Sequence, residues 1–523
     1  MLKTTMFKRK DIHSRDIIRA FRGAVVHLFV PAKDPVYIYI SLGIITFLAV
    51  MLRLYYIGYP IGYDEAYTFI RFSSKPFKFI LADYHAPNNH ILNSLLIGIV
   101  YRVIGNHLWV VRVPAFVASV LSVPAAFITG RRFFSASQAL AASVILAVSP
   151  TFIYNAVNGR GYSLIILFSL LLANFAGIVV KKESRSALSA YAITGALGFY
   201  TIPIFLYPMA GISLWVAVTY LTAAESWQNR WRKLSTFLVT CVISGVMTLI
   251  LYSPVIIFGT GLKSLVSNEI VKSQDWHSFV SNFVTRSNNT WLDWMYYASP
   301  LINQVLIAGF VISLVFYLKS SSQRLPMQFF LVLGAGIMLV LQRVAPLPRI
   351  WGYLEMFYLF FSATGLVWLV SWIIARIWHR DTDVKILSGL VLLIVLIVFA
   401  NMTIKTQNKD ARANRWIAPE FFVADYIASH IIEKDTIVAV APADMQTAYY
   451  LLIDGVPYDI FYQRDHPVEI ENAYVLVQTR GDYGINTLEE LLDFYKLTDN
   501  LDLNAGSLVF DYGPLLVYSI PAK

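Results

Sequence analysis

Charge is what this sequence holds least of. Of its 523 residues only 14% are Asp, Glu, Lys or Arg, whereas 57% are hydrophobic, 15% are aromatic and the mean hydropathy is +0.58. An average soluble domain is about 25% charged, so ordinary globular domains are excluded. Disordered and fibrous chains are excluded as well, because those classes are poor in large apolar residues. Cysteine is nearly missing: Cys241 stands alone inside an apolar run. There is then no internal disulfide and no cysteine-built zinc site, and Cys241 reads as a small core or lipid-facing residue. No short apolar stretch with a small-residue cleavage site opens the chain. Residues 1–35 are instead basic and amphipathic (Lys8, Arg9, Lys10, Arg15, Arg19, Arg22), as expected of a cytoplasmic surface segment. What remains is a polytopic membrane protein.

Charge of one sign is scarce in the first four-fifths of the chain. Residues 1–403 hold 33 Lys and Arg against 14 Asp and Glu, and residues 404–523 hold 9 against 18. A break of this kind marks a domain boundary. Because the basic excess belongs to loops between apolar stretches, it does not imply nucleic-acid binding.

A spanning helix needs about 20 mostly apolar residues. Eleven stretches qualify: 36–57, 109–129, 138–157, 161–180, 187–204, 205–223, 234–258, 300–318, 326–344, 350–376 and 384–404. A twelfth, 91–105, reaches only about 22 Å as a helix and carries Asn93, Ser94 and Arg102. Loop charge decides its role. If it stays in the interface, then Arg131-Arg132, Lys181-Lys182-Arg185, Arg230-Arg232-Lys233, Lys319-Arg324 and Arg376-Arg380-Lys385 all share the side of the basic N-terminus, as the positive-inside rule asks. The fold class expected is a polytopic α-helical membrane protein of about eleven spans (36–404) with an extracytoplasmic C-terminal α/β domain (405–523). Residues 58–108 and 259–299 lie on the outer side with that domain.

In the tail, Thr436–Ala441, Ala473–Gln478 and Ser507–Ile520 read as strands. Glu420–Glu433 and Asn486–Phe494 show helical periodicity, with Asn486 as a cap before Glu489. The tail shows no Gly-rich phosphate loop, nucleophile elbow or metal-ligand cluster. No catalysis is assigned to it.

Chemistry concentrates in the first outer loop. It reads Gly62-Tyr63-Asp64-Glu65-Ala66-Tyr67, then Asp83-Tyr84-His85-Ala86-Pro87-Asn88-Asn89-His90, then the interfacial stretch, then Val111-Arg112-Val113-Pro114. Each residue alone has a plain explanation. Asp64 or Glu65 fits a helix cap, the histidines fit packing, and Arg112 and Arg53 fit snorkelling or anchoring. Together they are stronger, because ionisable groups at a membrane are expensive and tend to mark function.

The order of motifs resembles a family. An Asp-Glu pair follows the first span, then come a His-x-Pro segment, an interfacial helix and Arg-x-Pro. Next are Gly130-Arg131-Arg132-Phe133-Phe134, Ala147-Val148-Ser149-Pro150 and Asn158-Gly159-Arg160-Gly161-Tyr162-Ser163. This is similar to the GT-C membrane glycosyltransferases of the protein O-mannosyltransferase and aminoarabinose-transferase type, over most of residues 40–180. It departs from the His-x-Pro-Pro of many bacterial relatives at His85-Ala86-Pro87-Asn88, so substrate identity does not carry over.

The resemblance implies an enzyme that takes sugar from a polyprenyl-phosphate donor and transfers it, with inversion, to an acceptor hydroxyl on the outer side. A hydroxyl is a poor nucleophile, so a carboxylate takes its proton, a role that falls to Asp64. Glu65, His85, Asn89 and His90 are candidates to orient that base or bind acceptor. Arginines suit the donor phosphate, and Arg112, Arg160, Arg343 and Arg349 are the candidates, with Tyr162 as a hydrogen-bond donor. Glu355 is placed to neutralise Arg349. The aromatics Trp276, Trp291, Trp294, Tyr296 and Tyr297, with His277 and Asp293 beside them, form either an interfacial belt or a lid. No cofactor is required; a divalent cation held by His85 and His90 with Asp64 or Asp83 is compatible with the family and unsupported by spacing. A lipid or glycan acceptor fits better than a protein one, since long soluble inserts are missing, and a bacterial inner membrane fits the compact tail. A transporter or lipid flippase is the main rival, a scaffold or receptor the second. Transporter sites lie at midplane in broken helices, whereas these polar groups gather on one face.

Overall fold

The computed structural model describes residues 23–30, 33–266, 272–296, 298–377, 418–464, 469–479 and 484–523. The expected span at 384–404 and most of the basic N-terminal segment lie outside these residues. Among the described residues six helices are long and apolar enough to cross a bilayer: Val36–Tyr56, Val110–Phe133, Tyr162–Lys181, Pro203–Leu221, Trp227–Phe258 and Pro348–Arg376. Two bent pairs are apolar enough to join them only if each is counted as one span: Ala136–Val148 with Pro150–Ala156, bent by 59°, and Trp276–Tyr296 with Pro300–Val315, bent by 110°. The protein is an integral membrane protein. The expected spans at 187–204 and 326–344 are the shorter helices Arg185–Thr201 and Met327–Gln342.

Local chemistry explains the bends and ends. Ser135 caps the helix Ala136–Val148 by accepting from the Gln138 N–H. That helix stops because Pro150 lacks the N–H that would reach the Leu146 carbonyl. The buried Arg53 supplies the missing donor: its guanidinium bonds the carbonyls of Leu146 (3.1 Å) and Ala147 (2.8 Å) and the Ser119 hydroxyl (2.9 Å). Arg53 is therefore an anchor inside the bundle. The helices Pro300–Val315 and Gly352–Ile377 approach backbone to backbone at Gly309 and Gly365, the close packing that small residues permit in membranes.

The connections sort into two ends. At one end Arg131 pairs with Asp34, Lys181 donates to the Arg132 carbonyl, Arg232 pairs with Glu183, and Arg324 donates to the Thr222 carbonyl. At the other end lie residues 58–108, the segment 343–351 and the C-terminal region. Ile61 donates its N–H to the Tyr450 hydroxyl, and the His107 carbonyl accepts from the adjacent Tyr449. The segment from 61 to 107 thus returns to the face it left, and its helix Ile91–Ile104 does not cross.

The C-terminal region is a four-stranded sheet in the order β1-β2-β4-β3, with β1 (Asp435–Val438) parallel to β2 (Asn472–Gln478). β3 (Ser507–Asp511) and β4 (Leu515–Pro521) are an antiparallel hairpin turned at Gly513, so the run read as one strand is two. The helix Leu488–Tyr495 is capped by Thr487 with Glu490 rather than by Asn486; the threonine hydroxyl meets the N3 amide, as a capping box requires. The helix Ala443–Ile453, which sequence periodicity did not pick out, docks the sheet onto the first outer loop. Tyr449 is fully buried against Phe69, and Gln446 donates to the Ile61 carbonyl at 2.7 Å. Replacing Tyr449 by Ala is expected to cost about 3 kcal/mol, as for other large buried aromatics, read as a lowered melting temperature in detergent; an unchanged melt would show that the docking does not hold the loop.

Candidate functional site

Asp64 and Glu65 begin the six-residue helix Tyr63–Thr68, whose cap is Gly62. Being adjacent, their side chains point in different directions and have different surroundings. Glu65 is buried and accepts from the Gly62 N–H at 2.9 Å, from Arg112 Nε and Nη2 at 3.0 Å each, and from the Gly159 N–H. Arg112 uses its remaining N–H groups on the carbonyls of Ile57, Tyr59 and Pro60. All five guanidinium donors are occupied. The expectation that Arg112 binds a donor phosphate is corrected on this ground, and Glu65 holds the loop together instead of facing an acceptor.

Asp64 is about one-third exposed. Its Oδ2 accepts from Arg349 Nη1 at 2.8 Å and lies 3.7 Å from Arg160 Nη1, while its Oδ1 accepts from the Asn88 amide at 3.1 Å. Arg160 also reaches the Asp64 carbonyl and sits over the Tyr162 ring. The sequence points to Asn89 at this site, but the structure brings its neighbour Asn88 there: Asn89 is buried and its amide bonds the carbonyls of Ile80 and Asp83, pinning the loop. Nothing distinguishes the two asparagines in sequence, because only the turn geometry decides which points inward.

A cavity of about 150 Å³ adjoins Asp64. Arg160, Arg286, Arg349, His90, Tyr162 and Asn88 are among its polar lining residues, and Ile202, Pro203, Ile204, Leu206, Leu265 and Val344 to Leu347 are among its apolar ones. Arg286 comes from the helix Trp276–Tyr296 and is tied to the Ala345 carbonyl. Its signal in the sequence was isolation, since it is the one Lys or Arg between Lys272 and Lys319. Arg343 is not on this wall; it ends the helix Met327–Gln342 in a left-handed conformation and lies over Trp276. Arg349 pairs with Asp64, not with Glu355, which is buried and accepts from Thr151 at 2.8 Å. Trp291 and Trp294 pack on Tyr358 of the bundle, so this pair covers a helix, not the cavity.

His90 is buried, and its Nδ1 accepts from the Gly161 N–H at 2.9 Å. That bond assigns the proton to Nε2, which lies 3.4 Å from Arg160 Nη2. Both residues line the cavity. Burial, with Arg160 and Arg349 nearby, holds the imidazole well below its ordinary value. His90 therefore faces the cavity and not Asp64. His85 is elsewhere, half-exposed, with Nδ1 2.7 Å from Asp83 and Nε2 3.2 Å from the Tyr67 hydroxyl. Among the described residues no three His, Cys, Asp or Glu side chains gather as metal ligands.

Gly159 and Gly161 explain how residues 158–162 come so close. A Cβ on Gly159 would stand 2.8 Å from the Val111 carbonyl oxygen, and one on Gly161 would stand 2.7 Å from Thr201 and 3.1 Å from His90. Two outcomes are expected in thermal unfolding. Arg112→Met should lose about 3–5 kcal/mol, because it leaves Glu65 charged and buried; a loss under about 1 kcal/mol, the worth of a surface pair, would contradict the knot described above. His90 is neutral in the fold, so protons bind the unfolded chain first and stability should fall as pH drops below about 6.5. His90→Gln should flatten that decline; an equal slope in both proteins would mean that another group titrates.

The dolichyl-phosphate-mannose-protein mannosyltransferase family profile matches residues 87–258, the segment with Asn88, His90, Arg112, Arg160 and Tyr162. The structure is similar to that of apo ArnT from Cupriavidus metallidurans, with a TM-score of 0.56 at 12% identity over 96% of this chain and 97% of that one. More distant are ArnT from the same organism bound to undecaprenyl phosphate (0.43, 14%, 92% and 97%) and archaeal oligosaccharyltransferase AglB from Archaeoglobus fulgidus with an inhibitory peptide and a dolichol-phosphate (0.46, 12%, 85% and 70%). No curated protein sequence matches the chain.

Proposed function

The chain has the GT-C membrane glycosyltransferase fold, and from that premise we propose that it moves a sugar from a polyprenyl-phosphate donor to an acceptor hydroxyl. The observation that carries this reading is a carboxylate, Asp64, bonded to Arg349 and close to Arg160, two of the cations that line a cavity whose other lining residues are mostly apolar. A phosphate suits the cations and a polyprenyl chain the apolar lining. The family profile supports the same donor class, since its name specifies a dolichyl-phosphate sugar.

The step follows from the groups present. The acceptor oxygen attacks the anomeric carbon on the face opposite the phosphate, and its proton passes to an Asp64 oxygen. The bond from the anomeric carbon to the phosphate oxygen breaks, and the electron pair leaves with the lipid phosphate, whose charge grows from one to two. Lipid phosphate is a good leaving group, so no general acid is needed. Arg160, Arg349 and Arg286 meet the growing charge, and the His90 Nε2–H donates to the same oxygens. One well-placed donor of this kind is worth about 3 kcal/mol of barrier. Tyr162 flanks Arg160, and Glu65 with Arg112 positions the helix that carries the base. The reading routes no step through a metal. It places the reaction on the extracytoplasmic side of a bacterial inner membrane, with a lipid or glycan hydroxyl as acceptor.

The test is sugar release and transfer from a panel of polyprenyl-phosphate sugars by the protein in lipid. One donor should turn over, Asp64→Asn should lower the rate at least about 1,000-fold, and Arg160→Gln should lower it about 100-fold. An Asp64→Asn protein that is well folded and fully active would overturn the assignment of the base. Movement of a solute into liposomes without any sugar transfer would instead favour a transporter.

A further inference from the structure

Asp64 is engaged by the same arginines that face the cavity, and this is more than a convenience of packing. We infer that Arg349 masks the base, and that a donor phosphate unmasks it by drawing Arg349 away, so that the carboxylate becomes available once the donor is seated. The inference rests on the donor reading above and adds an order of events to it.

The two arginines differ in freedom. Arg160 is 3% exposed and is also within hydrogen-bond reach of the Asp64 carbonyl and Thr68. It is fixed. Arg349 is 47% exposed, and among the described residues Asp64 is the one hydrogen-bond partner of its side chain. Its backbone is held in the turn Pro348–Trp351 after Pro346 and Pro348, so the movable part is the guanidinium. From that anchor it already lines both the cavity and the Asp64 rim.

A carboxylate oxygen that accepts from a guanidinium at 2.8 Å has a lone pair occupied by a cation and takes a hydroxyl proton poorly. A phosphate competes well for the same group, because its oxygens accept the planar fork bidentately. The anionic charge is conserved through the reaction. Before transfer the site holds three arginines against one carboxylate and one phosphodiester charge. Afterwards the proton has neutralised Asp64 and the phosphate carries two charges, so the anionic total is unchanged and has moved wholly to the phosphate side. Arg349 follows the charge.

Linkage makes this measurable without knowing the sugar or the acceptor. If phosphate and Asp64 compete for Arg349, removing the Asp64 charge must tighten phosphate binding by the same coupling. The probe is undecaprenyl phosphate titrated into the protein in phosphatidylcholine nanodiscs at low salt, with melting temperatures as the check on folding. Asp64→Asn should bind the probe about five-fold or more tightly than wild type. Arg349→Gln should bind it more weakly, and Asp64→Asn combined with Arg349→Gln should show little tightening over Arg349→Gln alone. Equal or weaker binding by Asp64→Asn, with clear binding by wild type, overturns the masking and leaves the donor reading standing. Tightening that persists in the double variant also overturns it, because the coupling would then not pass through Arg349. No binding by any of the four proteins removes the donor reading and the inference with it.

Discussion

Arg112 and Glu65 form the contact on which the site depends. A buried ion pair is favourable only when every remaining donor and acceptor is satisfied, and here each side is filled. The carboxylate receives four N–H groups, from Gly62, Gly159 and twice from Arg112. The guanidinium gives its other three to the chain leaving the first span. Three distant stretches of sequence, near 60, 112 and 159, are tied at one point. Because Asp64 precedes Glu65 and Arg160 follows Gly159, the knot sets their separation directly. Two buried charges thus determine where Asp64 and Arg160 meet.

That division of labour separates neighbours that look alike in sequence. Asp64 and Glu65 are adjacent acids, yet one is buried in a completed network and the other reaches a cavity rim. Asn88 and Asn89 divide in the same way, one bonding Asp64 and the other the loop's own carbonyls. Arg112 and Arg160 divide again. In each pair one residue completes a structural network and the other adjoins Asp64 or is Asp64 itself. The side chain that looks most committed by burial is the less suited to chemistry, because it has no unused hydrogen-bonding capacity.

Much of this was legible before the fold was seen. Most of the spans are written in apolar length, and residues 91–105, which loop charge keeps in the interface, form a helix of 14 residues between two stretches held by the same C-terminal helix. Asp64, Arg160 and Arg349 are conspicuous because charge is rare in this chain, and the structure brings the three side chains together. The failures have a common cause. The partner of Arg349, the choice between Asn88 and Asn89, and the place of Arg112 and Arg343 depend on side-chain direction, which a turn sets and a residue string does not print. Arg286 was overlooked beside louder aromatics. The helix Ala443–Ile453 escaped because its apolar residues lie on more than one side, as they must in an element packed against both its own sheet and the loop.

That helix bears on why an outer domain is present at all. A six-residue helix cannot persist alone, since nucleation costs more than one turn returns, and the helix that carries Asp64 is of that length. It borrows stability from both sides: the Glu65 network below and the Tyr449, Tyr450 and Gln446 contacts above. Neither support touches Asp64 itself. Asp64 is therefore held firmly in position while its carboxylate stays partly exposed, the two properties that the proton-acceptor role proposed for it would combine. An isolated loop would supply the second without the first, and a fully buried acid such as Glu65 supplies the first without the second.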